Sequence, residues 1–394
     1  MARTTRERKA RGASLVGRRY QVQIGAVAHG GHCVGRIAEL GDRVAFVRHA
    51  LPGELVEIQI TEGTEGDRFL RADAVQVLTP SADRVDAPCL VAGPGGCGGC
   101  DFQHVELGAQ RRLKADVVRE QLVRLGGFDP ADPLVADLVV QPVPGDQDGL
   151  RWRTRVEYAR TPDGHQGMRA HRSRRVVPVD DCLIAAPDAR VASQSRGTVI
   201  IERVRAAAGE RAFEVEGDGF WQVHPGAPTA LVDQVTAYAE VRPGDRVVDL
   251  YSGVGLFSGF LGAQAGASGA VTLVEGSRSA CGHARENLAD LDRVRVLTGS
   301  VDEVLGAGTV SGADVVVLDP PREGAKRAVV EAVAALDPRT VVYVACDPAA
   351  LARDLKIFGE LGWRVTDLAS FDLFPMTHHV ECVVRLTRSG SDQG

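Results

Sequence analysis

The 394-residue sequence lacks any uninterrupted apolar run that approaches the ~20 residues of a membrane-spanning helix. Its opening segment, MARTTRERKARG, also lacks the apolar stretch of a secretory signal. The hydrophobic share of 44% and the charged share of 25% are those of an ordinary globular protein. These features predict a cytoplasmic, monomeric protein with no membrane partner, long enough for two or three domains.

An overall excess of positive charge is also missing, since the formal net charge is −6. The basic residues are nevertheless concentrated in two segments. Residues 3–19 hold seven basic residues against one acid, and Arg151–Arg175 holds eight arginines against two acids. Because the arginine fork matches the geometry of phosphate, we expect Arg151–Arg175 to carry phosphate contacts, the alternative being a solvated surface. Residues 1–18 are predicted to form a flexible basic arm.

The pattern of apolar residues divides the chain into three predicted domains. Short runs punctuated by Gly and Pro fill residues 19–79 and predict a small β-barrel. Residues 80–215 are predicted to be a mixed α+β domain, with a helix over Val105–Leu125 and a surface loop over Asp129–Gly149. In residues 216–394 apolar strands alternate with helices, which predicts an α/β fold with a parallel-rich sheet covered on both faces.

Individual strands can be placed within this scheme. The last two strand-like segments, Arg364–Leu368 and His379–Leu386, are predicted to form an antiparallel hairpin at the sheet edge. The barrel strands are predicted at Tyr20–Ile24, Arg43–Val47, Leu55–Ile60 and Leu70–Leu78.

A nucleotide-binding turn is predicted where the first strand of the C-terminal domain ends. The sequence there is DLYSGVG, from Asp249 to Gly255, and it runs into a helix. The dinucleotide pattern GxGxxG is not completed, because Ser258 occupies the third glycine position. Glu275 ends the second strand, where a carboxylate can accept hydrogen bonds from a ribose, and Asp319 ends the fourth. The pattern favours S-adenosylmethionine (SAM), with another nucleotide as the alternative.

Cys346 is the candidate nucleophile of this domain. It follows the apolar segment VVYVA, so we expect it at the carboxyl end of the fifth strand, which is the ligand-binding edge of such sheets. A helix that starts near Pro348 is expected to lower the pKa of the thiol. The alternative is a structural cysteine buried in the strand.

A thiol and a separate base together suit methylation at C5 of a pyrimidine. Carbon C5 of uracil becomes nucleophilic only after a thiolate has added to C6, and the C5 proton must leave later. The candidate base is Glu381 in the segment THHVEC, with His378 and His379 as alternatives.

A cysteine cluster is predicted in the central domain. Cys89, Cys97 and Cys100 lie within twelve residues in a glycine-rich segment, and Cys182 is a candidate fourth ligand. In a reducing compartment grouped cysteines favour metal binding over disulfides, and four thiolates suit either an iron–sulfur cluster or zinc. A metal-free segment is the alternative.

Taken together, these motifs resemble the RNA 5-methyluridine (uracil-C5) methyltransferase family over residues 19–387. The barrel resembles a TRAM domain, including AFV at Ala45–Val47 and LPGE at Leu51–Glu54. ACDP, with Cys346, resembles the SCNP segment of the family, although Asp347 replaces its usual Asn. FPMTHHVE, which ends at Glu381, resembles the FPxTxHxE ending, and FWQV at Phe220–Val223 resembles the FxQ stretch.

The resemblance implies roles for residues of this chain. It implies Cys346 as nucleophile, Glu381 as base, and a [4Fe–4S] cluster on Cys89, Cys97, Cys100 and Cys182. It also implies a SAM methyltransferase domain that acts on RNA, which we predict is held by the TRAM barrel and Arg151–Arg175. The TRAM domain favours the 23S ribosomal RNA branch. The residues implied to bind SAM are Gln222, Tyr251, Gly253, Glu275 and Asp319.

Other functions are also open at this stage. One is methylation of transfer RNA at the same atom, and another is a non-catalytic iron–sulfur protein that binds RNA and retains the SAM fold. A 5-methylcytidine enzyme would carry a Pro-Cys segment where this chain has Asp319-Pro320-Pro321, and an amino-group methyltransferase would carry an aromatic residue where it has Arg322.

Overall fold

The computed structural model of the protein describes residues 12–389. Residues 1–11 of the predicted arm lie outside this range. Residues 12–18 differ from the prediction, because Leu15 is only 1% exposed and its backbone N–H donates to the carbonyl oxygen of Gly63. Structured chain therefore begins before residue 19, since one buried leucine fixes the segment on the barrel.

The elements are numbered here in chain order. The strands of the first half are β1 (Arg19–Ala28), β2 (His32–Ile37), β3 (Arg43–Arg48), β4 (Leu55–Glu62), β5 (Phe69–Thr79), β6 (Val140–Gln141), β7 (Arg153–Val156), β8 (Ala159–Arg160), β9 (Gln166–Arg169), β10 (Val176–Pro178) and β11 (Ala185–Val191). The remaining strands are β12 (Val199–Ala206), β13 (Gly209–Glu216), β14 (Arg246–Leu250), β15 (Ala270–Glu275), β16 (Val294–Thr298), β17 (Val315–Leu318), β18 (Thr340–Ala345), β19 (Trp363–Phe371) and β20 (Glu381–Arg388). The helices are α1 (Leu107–Gln121), α2 (Pro133–Ala136), α3 (Ala227–Ala239), α4 (Leu256–Ala265), α5 (Arg278–Asn287), α6 (Val301–Gly306), α7 (Lys326–Ala335) and α8 (Pro348–Glu360).

Two compact units make up the described chain. The first unit comprises residues 12–113, Ala159–Cys182 and Met376–His378, and the second comprises Lys114–Tyr158, Leu183–Pro375 and residues 379–389. This division cuts across the central domain expected over residues 80–215, because its segments are shared between both units.

The first unit contains a closed barrel with strand order β1-β2-β3-β5-β4. Alternation along β4 directs Val56, Ile58 and Ile60 inward, and each is at most 1% exposed. Strand β2 is absent from the sequence prediction. Its Gly35 packs so closely against β1 that a Cβ atom there would lie 2.5 Å from a methyl carbon of Val22. A glycine at this point weakens the strand pattern in sequence while allowing the barrel to close.

The second unit is built on an eight-stranded sheet with the order β16-β15-β14-β17-β18-β20-β19-β6. Strands β14 to β18 run parallel to one another, and β20 lies antiparallel between β18 and β19. The predicted antiparallel hairpin is therefore present, but it does not form the edge. The edge position belongs to the two-residue strand β6, which pairs with β19 inside the segment expected to be a surface loop. A strand this short leaves no periodic pattern in sequence.

Helices cover both faces of this sheet. One apolar core contains Tyr343, Leu355 and Phe358, and the other contains Phe213, Leu231 and Phe260. Residues along β18 alternate between the two cores, with Val341 and Tyr343 in the first and Val342 and Val344 in the second. The strands are thus buried on both sides, which explains their continuous apolar sequences.

Helix α1 agrees with the sequence prediction. The helix predicted over Val105–Leu125 is present as α1, followed by a π-helical turn over Leu122–Gly126. Within residues 12–389, no helix combines the length and apolar character needed to cross a bilayer.

Candidate active site

A cavity of about 610 Å³ opens in the second unit at the carboxyl ends of the parallel strands. Its volume falls within the range of about 300–1,000 Å³ that small-molecule sites occupy. The structure brings all the predicted catalytic and SAM-binding residues to the wall of this cavity, and these are Gln222, Tyr251, Gly253, Glu275, Asp319, Cys346 and Glu381.

Parallel strand ends place most of these residues together. Tyr251 directly follows β14, Glu275 ends β15, Asp319 directly follows β17 and Cys346 directly follows β18. Because the carboxyl ends of parallel strands meet at one edge of a sheet, residues scattered over about a hundred positions line one space.

The antiparallel strand β20 supplies the residue opposite Cys346. Ala345 is paired with Cys382 in the β18–β20 ladder, so continuing the register by one residue sets Cys346 against Glu381. Glu381 is only 4% exposed, whereas Cys346 is half-buried. The nucleophile and base candidates are therefore held by the same pair of strands.

The electrostatic surroundings of Cys346 differ from the expectation. Burial, then the carboxylates of Glu381 and Asp319, raise the pKa of the thiol to about 12, and the Arg322 guanidinium opposes them. The predicted lowering of the thiol pKa is thus wrong, because burial and the neighbouring carboxylates disfavour the thiolate.

Three acidic residues influence one another at this site, and two of them, Asp319 and Glu381, line the cavity. Burial raises the pKa of Glu381 well above its usual range, and the Asp319 carboxylate adds to the shift. Burial also raises the pKa of Asp319 to about 7, with a further contribution from Asp249. Asp249 is 1% exposed and accepts a 2.6 Å hydrogen bond from Ser258 Oγ, and burial raises its pKa to about 7 as well. Carboxyl groups in this condition can take up protons near neutral pH.

Asp347, the residue that departs from the family pattern, caps α8. Its Oδ1 atom accepts a 2.8 Å hydrogen bond from the backbone N–H of Ala350, and its backbone is extended as N-cap residues require. Asp and Asn are about equally good at this position. The substitution therefore keeps the cap and adds a negative charge beside Cys346.

The opposite end of the cavity suits SAM. Glu275 Oε2 accepts a hydrogen bond of 3.0 Å from the Gly253 N–H, and Oε1 accepts one of 2.6 Å from the Ser277 N–H. Each carboxylate oxygen retains acceptor capacity for a ribose hydroxyl. Apolar surface from Trp221 and Val254 lines the same space. A nucleoside with a charged sulfonium tail fits this combination of polar and apolar groups.

Several cavity residues were not predicted as site residues. Arg322 is one: its Nη2 atom lies 3.2 Å from His379 Nε2, and its charge lowers the pKa values of Cys346 and Glu381. Phe374 also lines the cavity, and its ring meets His379 edge to face. The Arg-Glu-Gly sequence after Asp319-Pro320-Pro321 was the available signal for Arg322.

The two histidines considered as bases lie in different surroundings. His379 lines the cavity. His378 belongs to the first unit, where its Nδ1 lies 2.5 Å from Asp101 Oδ2. Glu381 is therefore the stronger candidate base, because it alone faces Cys346 in the strand register.

The four clustered cysteines lie together in the first unit. Cys97 and Cys182 each raise the pKa of Cys100 through their charges, as does Cys89, although burial raises it most. The loop wraps tightly, since a Cβ atom at Gly96 would lie 2.1 Å from the Val91 carbonyl oxygen. Within residues 12–389, no group of three His, Cys, Asp or Glu side chains has the spacing of a site for one metal ion. An iron–sulfur domain is thus not established by the geometry, and the zinc alternative lacks support.

The fold and the cavity define a SAM-dependent methyltransferase. A sequence model of the tRNA (uracil-5-)-methyltransferases matches residues 309–389, and one of the TRAM domain matches residues 13–75. An RNA methyltransferase of Streptomyces coelicolor, itself uncharacterised, is 45% identical, with 95% of this chain and 93% of the relative covered. One from Bifidobacterium longum is 34% identical, with 93% and 96% covered. The chain belongs to the RNA (uracil-C5) methyltransferase family.

A solved structure supports the fold independently. The tRNA (uracil-54, C5)-methyltransferase of Pyrococcus abyssi, crystallised with S-adenosyl-L-homocysteine, superposes with a TM-score of 0.65. The alignment covers 93% of this chain and 99% of that chain at 21% identity. At this identity the similarity establishes a shared fold.

Proposed function

We propose that the protein methylates C5 of a uridine in RNA, with Cys346 as nucleophile and Glu381 as base. The observation that carries this proposal is the β18–β20 register, which sets the thiol and the carboxyl against each other at one cavity wall. The same cavity holds the five candidate SAM-binding residues.

The chain's own groups account for each proton and bond on the uracil. Cys346 loses its proton to solvent, and its sulfur forms a bond to C6 while electron density moves to C5. SAM supplies an electrophilic methyl group when bound, and C5 forms a bond to that methyl group. The Glu381 carboxylate then removes the proton that remains on C5, the electrons of the C5–H bond re-form the C5–C6 double bond, and Cys346 leaves C6 as a thiolate. Glu381 finally releases the proton it took from C5 to solvent.

The surrounding charges determine when the thiol reacts. Glu381, Asp319 and Asp347 disfavour the thiolate, and Arg322 favours it. Binding of a cationic sulfonium in the cavity would add positive charge near Cys346 and lower its pKa. We infer that the nucleophile is activated only when the methyl donor is present, which limits side reactions.

The proposed substrate is 23S ribosomal RNA. Support comes from the TRAM barrel and from the cationic segment Arg151–Arg175, whose Arg153 and Arg155 line the cavity. Transfer RNA is the second candidate, because the family model over residues 309–389 and the similar Pyrococcus protein are both described as tRNA methyltransferases. Mapping 5-methyluridine across total RNA from cells with and without the gene separates the two. If no 5-methyluridine site disappears from either RNA when the gene is absent, the proposal is wrong.

Replacement of the nucleophile tests the mechanism. Cys346→Ala should abolish methyl transfer to RNA while leaving SAM affinity within about twofold, because the SAM residues lie on other strand ends. The matched control is Cys281→Ala, which removes a buried thiol that does not line the cavity. Turnover by the Cys346 variant equal to that of the control would exclude the nucleophile.

We also propose that Cys89, Cys97, Cys100 and Cys182 hold a [4Fe–4S] cluster. Support comes from the electrostatic influence of Cys89, Cys97 and Cys182 on Cys100, which requires the four thiols to lie near one another in the first unit. Protein purified without oxygen should contain about four iron and four sulfide atoms per chain. Cys182→Ser should lower this content, whereas Cys33→Ser should not. Equal iron content in both variants contradicts the ligand set.

A further inference from the structure

A second cavity, of about 480 Å³, lies wholly within the first unit. Its wall combines barrel residues of β2, β3, β4 and β5, the glycine-rich segment at Gly95 and Gly96, and the hairpin turn after β9. We call it the barrel cavity. None of its lining residues contributes to the cavity that contains Cys346.

Positive charge dominates the wall of the barrel cavity. Four arginines line it, against two carboxylates, Glu62 and Asp73, and the arginines are Arg48, Arg71, Arg172 and Arg175. Glu62 is shared, because Arg71 and Arg172 approach it at 3.5 and 3.2 Å. Arg48 lies 3.4 Å from Asp101, so four guanidinium groups face three carboxylates in all. Such a concentration in a half-enclosed space attracts anions.

The two histidines in the same wall have lowered pKa values. Burial, and then the charges of Arg71 and Arg48, lower the pKa of His32 to about 4. Burial and Arg48 likewise lower the pKa of His171 to about 4. Both rings are neutral at physiological pH and can donate or accept hydrogen bonds.

Buried polar atoms of the wall lack partners within the described chain. Arg48 is 6% exposed, and its Nε–H finds no acceptor among residues 12–389. His32 is 9% exposed, and its Nδ1 likewise has no hydrogen-bond partner there. Buried groups of this kind ordinarily have partners, so these atoms indicate a ligand. An anionic oxygen would satisfy the arginine donor and reduce the repulsion between guanidinium groups.

An aromatic surface accompanies the charge. Phe46 lines the barrel cavity, and its ring meets Phe69 edge to face with centroids 5.4 Å apart. Arg71 lies over both rings, at 5.9 and 5.7 Å from their centroids. Rings and planar guanidinium groups are surfaces on which nucleobases stack. Phosphate-binding and base-stacking groups thus line one space.

We propose that the barrel cavity binds a phosphorylated nucleotide of the substrate RNA other than the methylated uridine. The inference rests on the proposed RNA substrate and adds a second recognition point to it. A polymer is favoured over a free nucleotide because exposed arginines continue from the cavity along the same hairpin, at Arg169 and Arg174. Neighbouring phosphates of one RNA strand would meet these residues.

The charge contribution is tested with the double substitution Arg71→Gln and Arg172→Gln in the full-length protein. The probe is unmodified 23S ribosomal RNA transcribed in vitro, and affinity is measured at several salt concentrations. We expect affinity to fall on the order of tenfold and the slope of log affinity against log salt to decrease in magnitude by about 1.5, since two phosphate contacts are lost. The matched control is Arg36→Gln with Arg68→Gln, two exposed barrel arginines outside the cavity. Equal losses in both double variants overturn the proposal.

The stacking contribution is tested with Phe46→Leu, which keeps an apolar side chain. RNA affinity should fall about tenfold with an unchanged salt slope, because stacking contributes without counterion release. If the Phe46→Leu variant binds RNA with the affinity of the wild type, no base stacks in the cavity. Only phosphate binding would then remain, and the proposal of a nucleotide site would be wrong.

Two further measurements separate the possible failures. The affinities of uridine monophosphate and adenosine monophosphate are measured for the wild type and for the cavity variants. If the substitutions weaken the binding of these free nucleotides but leave RNA affinity unaffected, the site is one for free nucleotides and the proposal is wrong. The SAM affinity and the methyl transfer of the wild type are measured in parallel. Absence of methyl transfer by the wild type contradicts the proposed function, whereas normal transfer with unaltered RNA affinity in the variants contradicts only this inference.

Discussion

Cys346 and Glu381 hold their protons more tightly than free side chains do. Both groups are removed from water, the Glu381 carboxylate disfavours the thiolate of Cys346, and the Asp319 carboxylate disfavours the charged form of Glu381. The reaction proposed here requires the thiol to lose its proton and the carboxyl to act as a base later. Elevated pKa values delay the first step and make the second more effective, because a base of higher pKa binds the C5 proton more strongly.

The glutamate substitution should separate the two steps. Glu381→Gln keeps the shape of the side chain, so addition of Cys346 to the ring and methylation remain possible while release of the product slows. Turnover should fall about 10²- to 10⁴-fold, and an RNA–protein adduct that survives denaturation should accumulate. Gel electrophoresis with labelled RNA detects the adduct. Glu360→Gln on the exposed end of α8 should form none, and an adduct-free Glu381 variant with normal turnover would eliminate this base.

Asp249 makes stability depend on pH. Its pKa in the folded protein is about 7, above the value of an unfolded chain, so folding binds a proton in the interval between them. This contribution is complete below about pH 4 and is lost as pH rises through 7. Asp249→Asn removes the penalty, and we expect it to raise the free energy of unfolding at pH 8 by about 2–4 kcal/mol.

At pH 4 the two proteins should differ little, since the wild-type carboxyl is then protonated. Chemical denaturation at both pH values measures the effect. The matched control is Asp302→Asn, which replaces an exposed acid on the first turn of α6. A stabilisation that is equal at pH 4 and pH 8 would contradict the assignment.

At the scale of elements, the start of α8 couples helix stability to the nucleophile. Asp347→Asn keeps the cap and removes a charge that raises the pKa of Cys346, so methyl transfer at pH 7 should increase a few-fold with unchanged stability. Asp347→Ala removes the cap as well and should cost about 1 kcal/mol of unfolding free energy. Single-turnover rates and thermal denaturation of both variants test this. Slower transfer by the Asn variant would show that the carboxylate assists catalysis.

The sequence predicted those elements whose pattern is local. Strands β14 to β18 and their helices follow from apolar runs that alternate with helical periodicity, and all seven catalytic and SAM-binding candidates line one cavity. Strands β2 and β6 were missed, because one contains a packing glycine and the other has two residues. The direction of the Cys346 pKa shift was also missed. It depends on Glu381 and Asp319, which only the folded sheet brings close.

The domain boundaries could not be predicted from the local sequence pattern either. The segment Ala159–Cys182 belongs to the first unit, although the residues on both sides of it belong to the second. Chain excursions of this kind leave no periodic signal, since each strand in the segment has at most four residues.

At the scale of the molecule, the two proposed sites belong to different units. The four cysteines proposed to hold the cluster belong to the first unit, whereas the residues that line the proposed SAM cavity belong to the second. Replacing Cys89 and Cys182 with Ser should therefore leave SAM affinity within about twofold while reducing iron content. Isothermal titration calorimetry with SAM provides the measurement. A tenfold or greater loss of SAM affinity would contradict this independence.

The ladder between β18 and β20 also limits how the chain can change length. Thirty-five positions separate residue 346 from residue 381, and the turn at Gly362 could lengthen without altering which atoms face each other across the ladder. One extra residue inside β20 would instead turn its side chains over, and the glutamate would face the opposite helical layer. Natural variation in this region should consequently fall in turns, and the pairing of these two strands should tolerate neither insertion nor deletion.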